Sequence, residues 1–154
     1  TIHDDIFHVQ LPVSDNLEFV ILVPDFKMRT ADARRVLPES VSRSDATANL
    51  AYQTFLLEGL RTGRGDLIEE GMRDKLHQPY RFPLIADSEK VIEMAKRAGA
   101  LGCAISGAGP SLMCILENKS ALKDFMEKMS RLPKQWSIIV PGINQNGASL
   151  MRVK

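Results

Sequence analysis

A chain of 154 residues, 25% charged and 44% hydrophobic, has the composition of one ordinary globular domain with its own core. A net charge of +1 gives no electrostatic footprint for nucleic acid or an anionic membrane, and no apolar run approaches the ~20 residues of a transmembrane helix. The first residues carry no signal-peptide pattern, and the two cysteines lack C-x-x-C metal spacing.

In chain order, His3 and His8 lie in an N-terminal stretch without clear periodicity. Glu18–Val23 is a nearly continuous apolar run that predicts a buried strand ending at Pro24-Asp25. A short helix is expected from Thr30 to about Leu37, with Thr30 as N-cap and Pro38 as stop. A longer helix is expected from near Ser44 to Arg61, stopped by Gly63 and Gly65, with Leu50, Phe55, Leu57 and Leu60 as core candidates. Asp66-Leu67-Ile68-Glu69 has the form of a capping box opening a third helix, with Ile68, Met72 and Leu76 as its apolar stripe. The two prolines of His77–Pro83 predict a rigid, extended connector.

Asp87 is then expected to cap a helix carrying Val91, Met94, Ala95 and Ala98 on one face and closed by Gly99. Cys103–Ile105 and Leu112–Leu116 read as strands flanking the loop Ser106-Gly107-Ala108-Gly109-Pro110-Ser111. Leu122, Phe125, Met126 and Met129 stand at helical spacing between Asn118 and Arg131, and Pro133 ends that helix. Trp136–Val140 and Ala148–Val153 complete the chain as strands. Helix, strand, strand, helix, strand, joined to the early strand, predicts an α+β fold: a ferredoxin-like antiparallel sheet with helices on one face.

Three groups could carry chemistry. In the glycine loop, Gly107 and Gly109 permit positive φ and close approach of a ligand to the backbone, so the loop could aim N–H groups at an anion. A plain hairpin turn explains the same residues. The loop fails G-x-G-x-x-G because Leu112 stands at the third glycine, and no P-loop pattern occurs. Thr30 and Arg34 lie one helical turn apart and could address one ligand, or be a cap and a solvated cation. Arg81, on stiff backbone between Pro79 and Pro83, suits bidentate carboxylate or phosphate recognition, or a structural salt bridge. His77 is a general base, a ligand contact or a structural histidine. The pairs Asp45/Asn49 and Asp74/Gln78 read as solvated faces. Cys103 and Cys114 would face each other across a hairpin, as free thiols or as a disulfide.

Four stretches together resemble a known family: F-V-I-L-V-P-D, R-T-A-D-A-R-R-V-L-P, D-K-L-H-Q-P-Y-R and A-G-A-L-G-C-A-I-S-G-A-G-P-S. In that order they are similar to the C-terminal half of bacterial homoserine kinases, within the superfamily of galactokinase, homoserine, mevalonate and phosphomevalonate kinases. The resemblance runs from about Glu18 to Val153. It implies an enzyme of the cytoplasm that uses ATP and Mg²⁺ to phosphorylate the side-chain hydroxyl of L-homoserine, in the route to threonine. Carried over, Thr30 matches the substrate-contacting threonine, Arg34 and Arg81 the pair that grips the amino-acid carboxylate, and Ser106, Gly107, Ala108 and Gly109 the active-site glycine loop.

The family's nucleotide loop, of the P-x-x-x-G-L-G-S-S-A type, has no match here. The resemblance therefore implies a C-terminal piece, with residues 1–17 leading from an N-terminal ATP-binding domain and residues 18–154 forming the GHMP kinase C-terminal domain. By itself it is expected to bind no ATP or Mg²⁺ and to be inactive, its catalytic residues lying in the other half. Its partners would be L-homoserine and its own N-terminal domain, with a homodimer left open by any bare strand edge. A free-standing ferredoxin-like module that binds an amino acid, and a sister kinase acting on mevalonate, are the competing readings.

Overall fold

The computed structural model describes residues 9–144. Its elements run β1 (Glu18–Pro24), α1 (Thr30–Arg35), α2 (Arg43–Thr62), α3 (Gly65–Gly71), α4 (Gln78–Arg81), a 3₁₀ turn (Phe82–Leu84), α5 (Ser88–Ala98), β2 (Gly102–Ile105), β3 (Leu112–Leu116), α6 (Lys119–Lys128), a second 3₁₀ turn (Met129–Arg131) and β4 (Trp136–Ile139). The four strands form one antiparallel sheet in the order β2-β3-β1-β4. This is the ferredoxin-like arrangement, in which the first strand is inserted between the third and the last.

Alternation along the strands sorts the side chains onto two faces. Val20 pairs with Cys114 and Leu22 with Leu112. These residues, with Leu116 and Trp136, are buried against Val91, Ala95 and Ala98 of α5 and Phe125 of α6. The opposite face is covered at one end. Phe19 and Ile115 pack there with Leu17, Leu56 and Leu60, and with Ile68 and Met72 at the end of α3. α5 and α6 thus line one face, as expected, and the α2–α3 pair adds a second, smaller core behind Ile115. The two helices close tightly because Gly71 has no side chain: a Cβ there would lie 2.3 Å from the backbone nitrogen of Leu56.

Several local expectations are corrected. Thr30 is the first residue of α1, and Arg29 precedes it as N-cap without a side-chain bond. The cap of α2 is Ser42, whose hydroxyl accepts the Asp45 N–H, and Gly63 closes the helix in the left-handed conformation while Gly65 opens α3. Leu50, Phe55 and Leu57 are exposed, and the inward residues of α2 are Leu56, Gly59 and Leu60. Asp66 lies inside α3 and pairs with Arg64 instead of capping. Asp87 holds the N-cap position of α5 as expected, at φ 60°, but its side chain makes no capping bond and its carboxylate accepts from Gln135. Met126 is exposed on α6.

The expected extended connector is helical. Gln78–Arg81 forms one turn with Pro79 in its first positions, and Phe82–Leu84 a 3₁₀ turn with Pro83 likewise placed. The first N–H groups of a helix need no internal acceptor, so a proline there removes no bond. The expected strand Ala148–Val153 and the histidines His3 and His8 lie outside the described residues.

Candidate functional site

The β2–β3 hairpin presents the glycine loop at one end of the sheet. Ser106 closes it by donating its N–H to the Ser111 carbonyl, and Gly109 N–H returns to the Ser106 carbonyl. Gly107 and Gly109 take φ of 59° and 89°, and the Gly109–Pro110 peptide is cis. The amides of Gly107 and Ala108 have no acceptor among the described residues. Two neighbouring free N–H groups in a glycine turn form a concave donor surface for an anion.

Arg81 joins this loop to α1. Its Nε donates to the Ala33 carbonyl and its Nη1 to the Gly107 carbonyl, each at 3.2 Å. Two of the five guanidinium donors are thereby fixed on backbone oxygens, and the others are left for a ligand. No acidic side chain among the described residues pairs with Arg81, so the structural salt bridge considered for it is absent there. Arg34 directly follows the carbonyl that Arg81 holds. Its guanidinium likewise has no hydrogen-bond or ion-pair partner among the described residues, whereas Arg35 beside it pairs with Asp32. Thr30 opens the same short helix and is exposed. The Arg81 guanidinium therefore ties Ala33 of α1 to Gly107 of the loop, while Arg34 follows Ala33 on α1 with an exposed side chain and Thr30 lies one turn away. A partly buried cation held by two neutral carbonyls and no counter-ion is a site for an anion.

His77 is placed differently. It precedes α4 and lines a groove between α2 and the α3–α4 segment with Asn49, Tyr52, Leu56 and Arg73. None of Thr30, Arg34, Arg81 or the loop lines that groove.

The turn that carries Arg81 is anchored by residues read from the sequence as solvated. Asp74 accepts from Asn49 Nδ2 at 2.7 Å and from the N–H groups of Leu76, His77 and Gln78. Asn49 in turn accepts the Lys75 N–H at 2.8 Å. Burial pushes the Asp74 carboxyl up, but the Asn49 and backbone N–H donors outweigh it and hold it below the ordinary aspartate value. A carboxylate followed by free N–H groups two to four residues on is the signal that could have revealed this turn.

No group of three or more histidine, cysteine, aspartate or glutamate side chains among the described residues could hold a metal ion. No helix of the described residues is long and apolar enough to cross a membrane.

This fold, with a glycine loop at the end of its β2–β3 hairpin, is that of a GHMP kinase C-terminal domain, and the chain belongs to that family, which it matches over residues 56–135. Among curated proteins, the homoserine kinase of Synechococcus sp. (strain RCC307) is 44% identical over 142 residues, 91% of this chain and 45% of the relative. That of Prochlorococcus marinus (strain NATL1A) is 53% identical over 100 residues, 65% of this chain and 32% of the relative. Among solved structures, the homoserine kinase of Cytophaga hutchinsonii ATCC 33406 superposes with a TM-score of 0.79 at 33% identity, covering 89% of this chain and 45% of that one. The chain spans less than half the length of these relatives.

Proposed function

We propose that this chain is the C-terminal, substrate-binding part of a homoserine kinase, which transfers the γ-phosphoryl group of ATP to the side-chain hydroxyl of L-homoserine. The observation that carries this reading is Arg81, a cation with no carboxylate partner among the described residues that ties the glycine loop to α1 through Gly107 and Ala33, with the equally unpaired Arg34 next to Ala33 on the same helix. The α-carboxylate of an amino acid fits two such guanidinium groups. Relatives matched over most of the chain are homoserine kinases, which favours homoserine over mevalonate as the carboxylate-bearing alcohol.

In this reading Arg34 and Arg81 fix the substrate by its carboxylate, Thr30 contributes a hydroxyl at the α1 start, and the free amides of Gly107 and Ala108 face the phosphoryl-transfer region. Phosphoryl transfer is catalysed mainly by positioning and charge stabilisation, and the positioning of the acceptor falls to this domain. ATP would supply the phosphoryl group. Mg²⁺ and the nucleotide phosphates are assigned in this reading to the N-terminal part, because the family's nucleotide loop of the P-x-x-x-G-L-G-S-S-A type has no match in this sequence. The N-terminal ATP-binding part is accordingly the partner this domain requires.

Charge-assisted hydrogen bonds contribute about 1.5–3 kcal/mol each. Arg34→Ala and Arg81→Ala in the complete kinase are therefore expected to raise the homoserine KM about tenfold or more, with the ATP KM nearly unchanged. An unaltered homoserine KM in both variants would overturn the reading. A chain that binds an amino acid tightly yet supports no ADP release when joined to its N-terminal part would favour the regulatory module instead.

A further inference from the structure

Arg81 occupies a single helical turn of four residues, Gln78–Arg81, too short to hold its own position. Its place depends on what grips that turn. Gln78 does so on two sides: its Oε1 accepts the Ile105 N–H at 3.0 Å, and its Nε2 donates to the Met72 carbonyl at 3.2 Å. The Ile105 amide lies on the outer side of β2, an edge strand of the sheet, and Ile105 is the last residue before the glycine loop. The Met72 carbonyl stands at the C-terminal end of α3. One carboxamide thus joins three elements.

The spacing matters. Gln78 and Arg81 are i and i+3 on one helical turn and so share a face. Their acceptors and donors, Ile105 and Gly107, are two residues apart on the strand and loop that run past it. The turn and the loop are joined by two rungs, Gln78 to Ile105 and Arg81 to Gly107. Without the first rung, the second rests on a guanidinium hydrogen bond at the exposed end of the loop. Asp74 completes the hold by binding the N–H groups of Leu76, His77 and Gln78, where the turn begins.

We propose that Gln78 is a positioning residue that sets the Arg81 guanidinium against the glycine loop by locking the start of its helical turn to Ile105 and Met72. The kinetic consequence rests on the functional reading above; the structural one does not. Gln78→Met keeps the side-chain length and removes both bonds.

Two readouts test it in the complete kinase. With arginine side chains labelled with ¹⁵N, hydrogen exchange of the Arg81 Nε–H is expected to quicken at least tenfold in Gln78→Met. The homoserine KM is expected to rise about 5–20-fold with the ATP KM within twofold, and the same substitution in an Arg81→Ala background to change the homoserine KM less than twofold. Gln78→Glu keeps the acceptor for Ile105 but sets a carboxylate against the Met72 carbonyl, so it is expected to quicken Arg81 exchange and raise the homoserine KM as well; it serves if Gln78→Met fails to fold. Unchanged Arg81 exchange in both variants, or an equal penalty in the Arg81→Ala background, would each overturn the proposal. A parent enzyme that leaves homoserine untouched would overturn the functional reading alone, and the exchange measurement would still decide the positioning.

Discussion

Arg81 donates through Nη1 to the carbonyl oxygen of Gly107 at 3.2 Å, from a helical turn 26 residues earlier in the chain. Its Nε reaches Ala33, 48 residues earlier still, so one side chain ties α1, α4 and the glycine loop together. Only a planar fork can hold two carbonyls and still present donors to a carboxylate. Arg81→Lys is therefore expected to fail as a conservative replacement, raising the homoserine KM about tenfold. Steady-state kinetics on the complete kinase would check this against Arg81→Ala.

The two loop glycines are expected to differ when replaced. Both have positive φ, which disfavours a side chain by roughly 1–2 kcal/mol. At Gly107 an added Cβ meets nothing within 4 Å, so Gly107→Ala should cost little beyond that. At Gly109 the Cβ would lie 2.9 Å from Met28 Cε and 3.2 Å from Ile105 Cγ2. Gly109→Ala is expected to lose about 2–4 kcal/mol once crowding is added. Urea unfolding of the two variants would show the larger loss at Gly109.

Asp74 makes stability depend on acid. Its carboxyl is held below the ordinary value, so the folded chain favours the ionised form. That contribution is fully present above the unfolded value near 3.8 and is lost as pH falls through the lower folded value. The Tm difference between the parent and Asp74→Asn is expected to be largest near pH 7 and to shrink steadily below about pH 4. Thermal melts from pH 7 to pH 3 would show this; a constant difference would place the effect in shape and not in charge.

Cys103 and Cys114 are paired across the β2–β3 hairpin with sulfurs 3.1 Å apart, both as free thiols facing the core. The hydrogen bond to Cys103 and then burial push the Cys114 thiol well above the usual cysteine range. A protonated, enclosed thiol is a poor nucleophile. Neither cysteine is expected to react with a disulfide reagent at pH 8 in the folded protein, and both should react promptly in denaturant. Release of the coloured thiol with and without guanidinium checks it.

Much of this molecule was legible from local pattern. β1, the β2–β3 hairpin and its glycine loop, the α5 stripe of Val91, Ala95 and Ala98, and Phe125 and Met129 are all where periodicity puts them. Those signals are carried within one element by the repeat of two or of about 3.6 residues. The errors fell where helix ends and faces depend on neighbours. Pro79 and Pro83 read as breakers, yet each sits in a first turn where its missing N–H costs nothing. Leu50, Phe55 and Leu57 read as core, but the tight approach of Gly71 to α2 turned Leu56 and Gly59 inward instead, beside Leu60, the one core candidate of α2 that packs as expected.

The sequence by itself determined the strands, the helices other than α4, the apolar face of α5 and the residue types of the site, because each depends on chemistry within a few neighbouring positions. Only the tertiary structure decided that Arg81 joins Ala33 to Gly107, that no carboxylate among the described residues neutralises Arg34 or Arg81, and that Asp74 and Gln78 brace the turn that carries Arg81. The bonds from Arg81 to Ala33 and Gly107 and from Ile105 to Gln78 join residues 26 to 48 positions apart, with no repeat along the chain to announce them. They exist because sheet pairing places β1 between β3 and β4 and brings the ends of α1, α4 and the hairpin to one place.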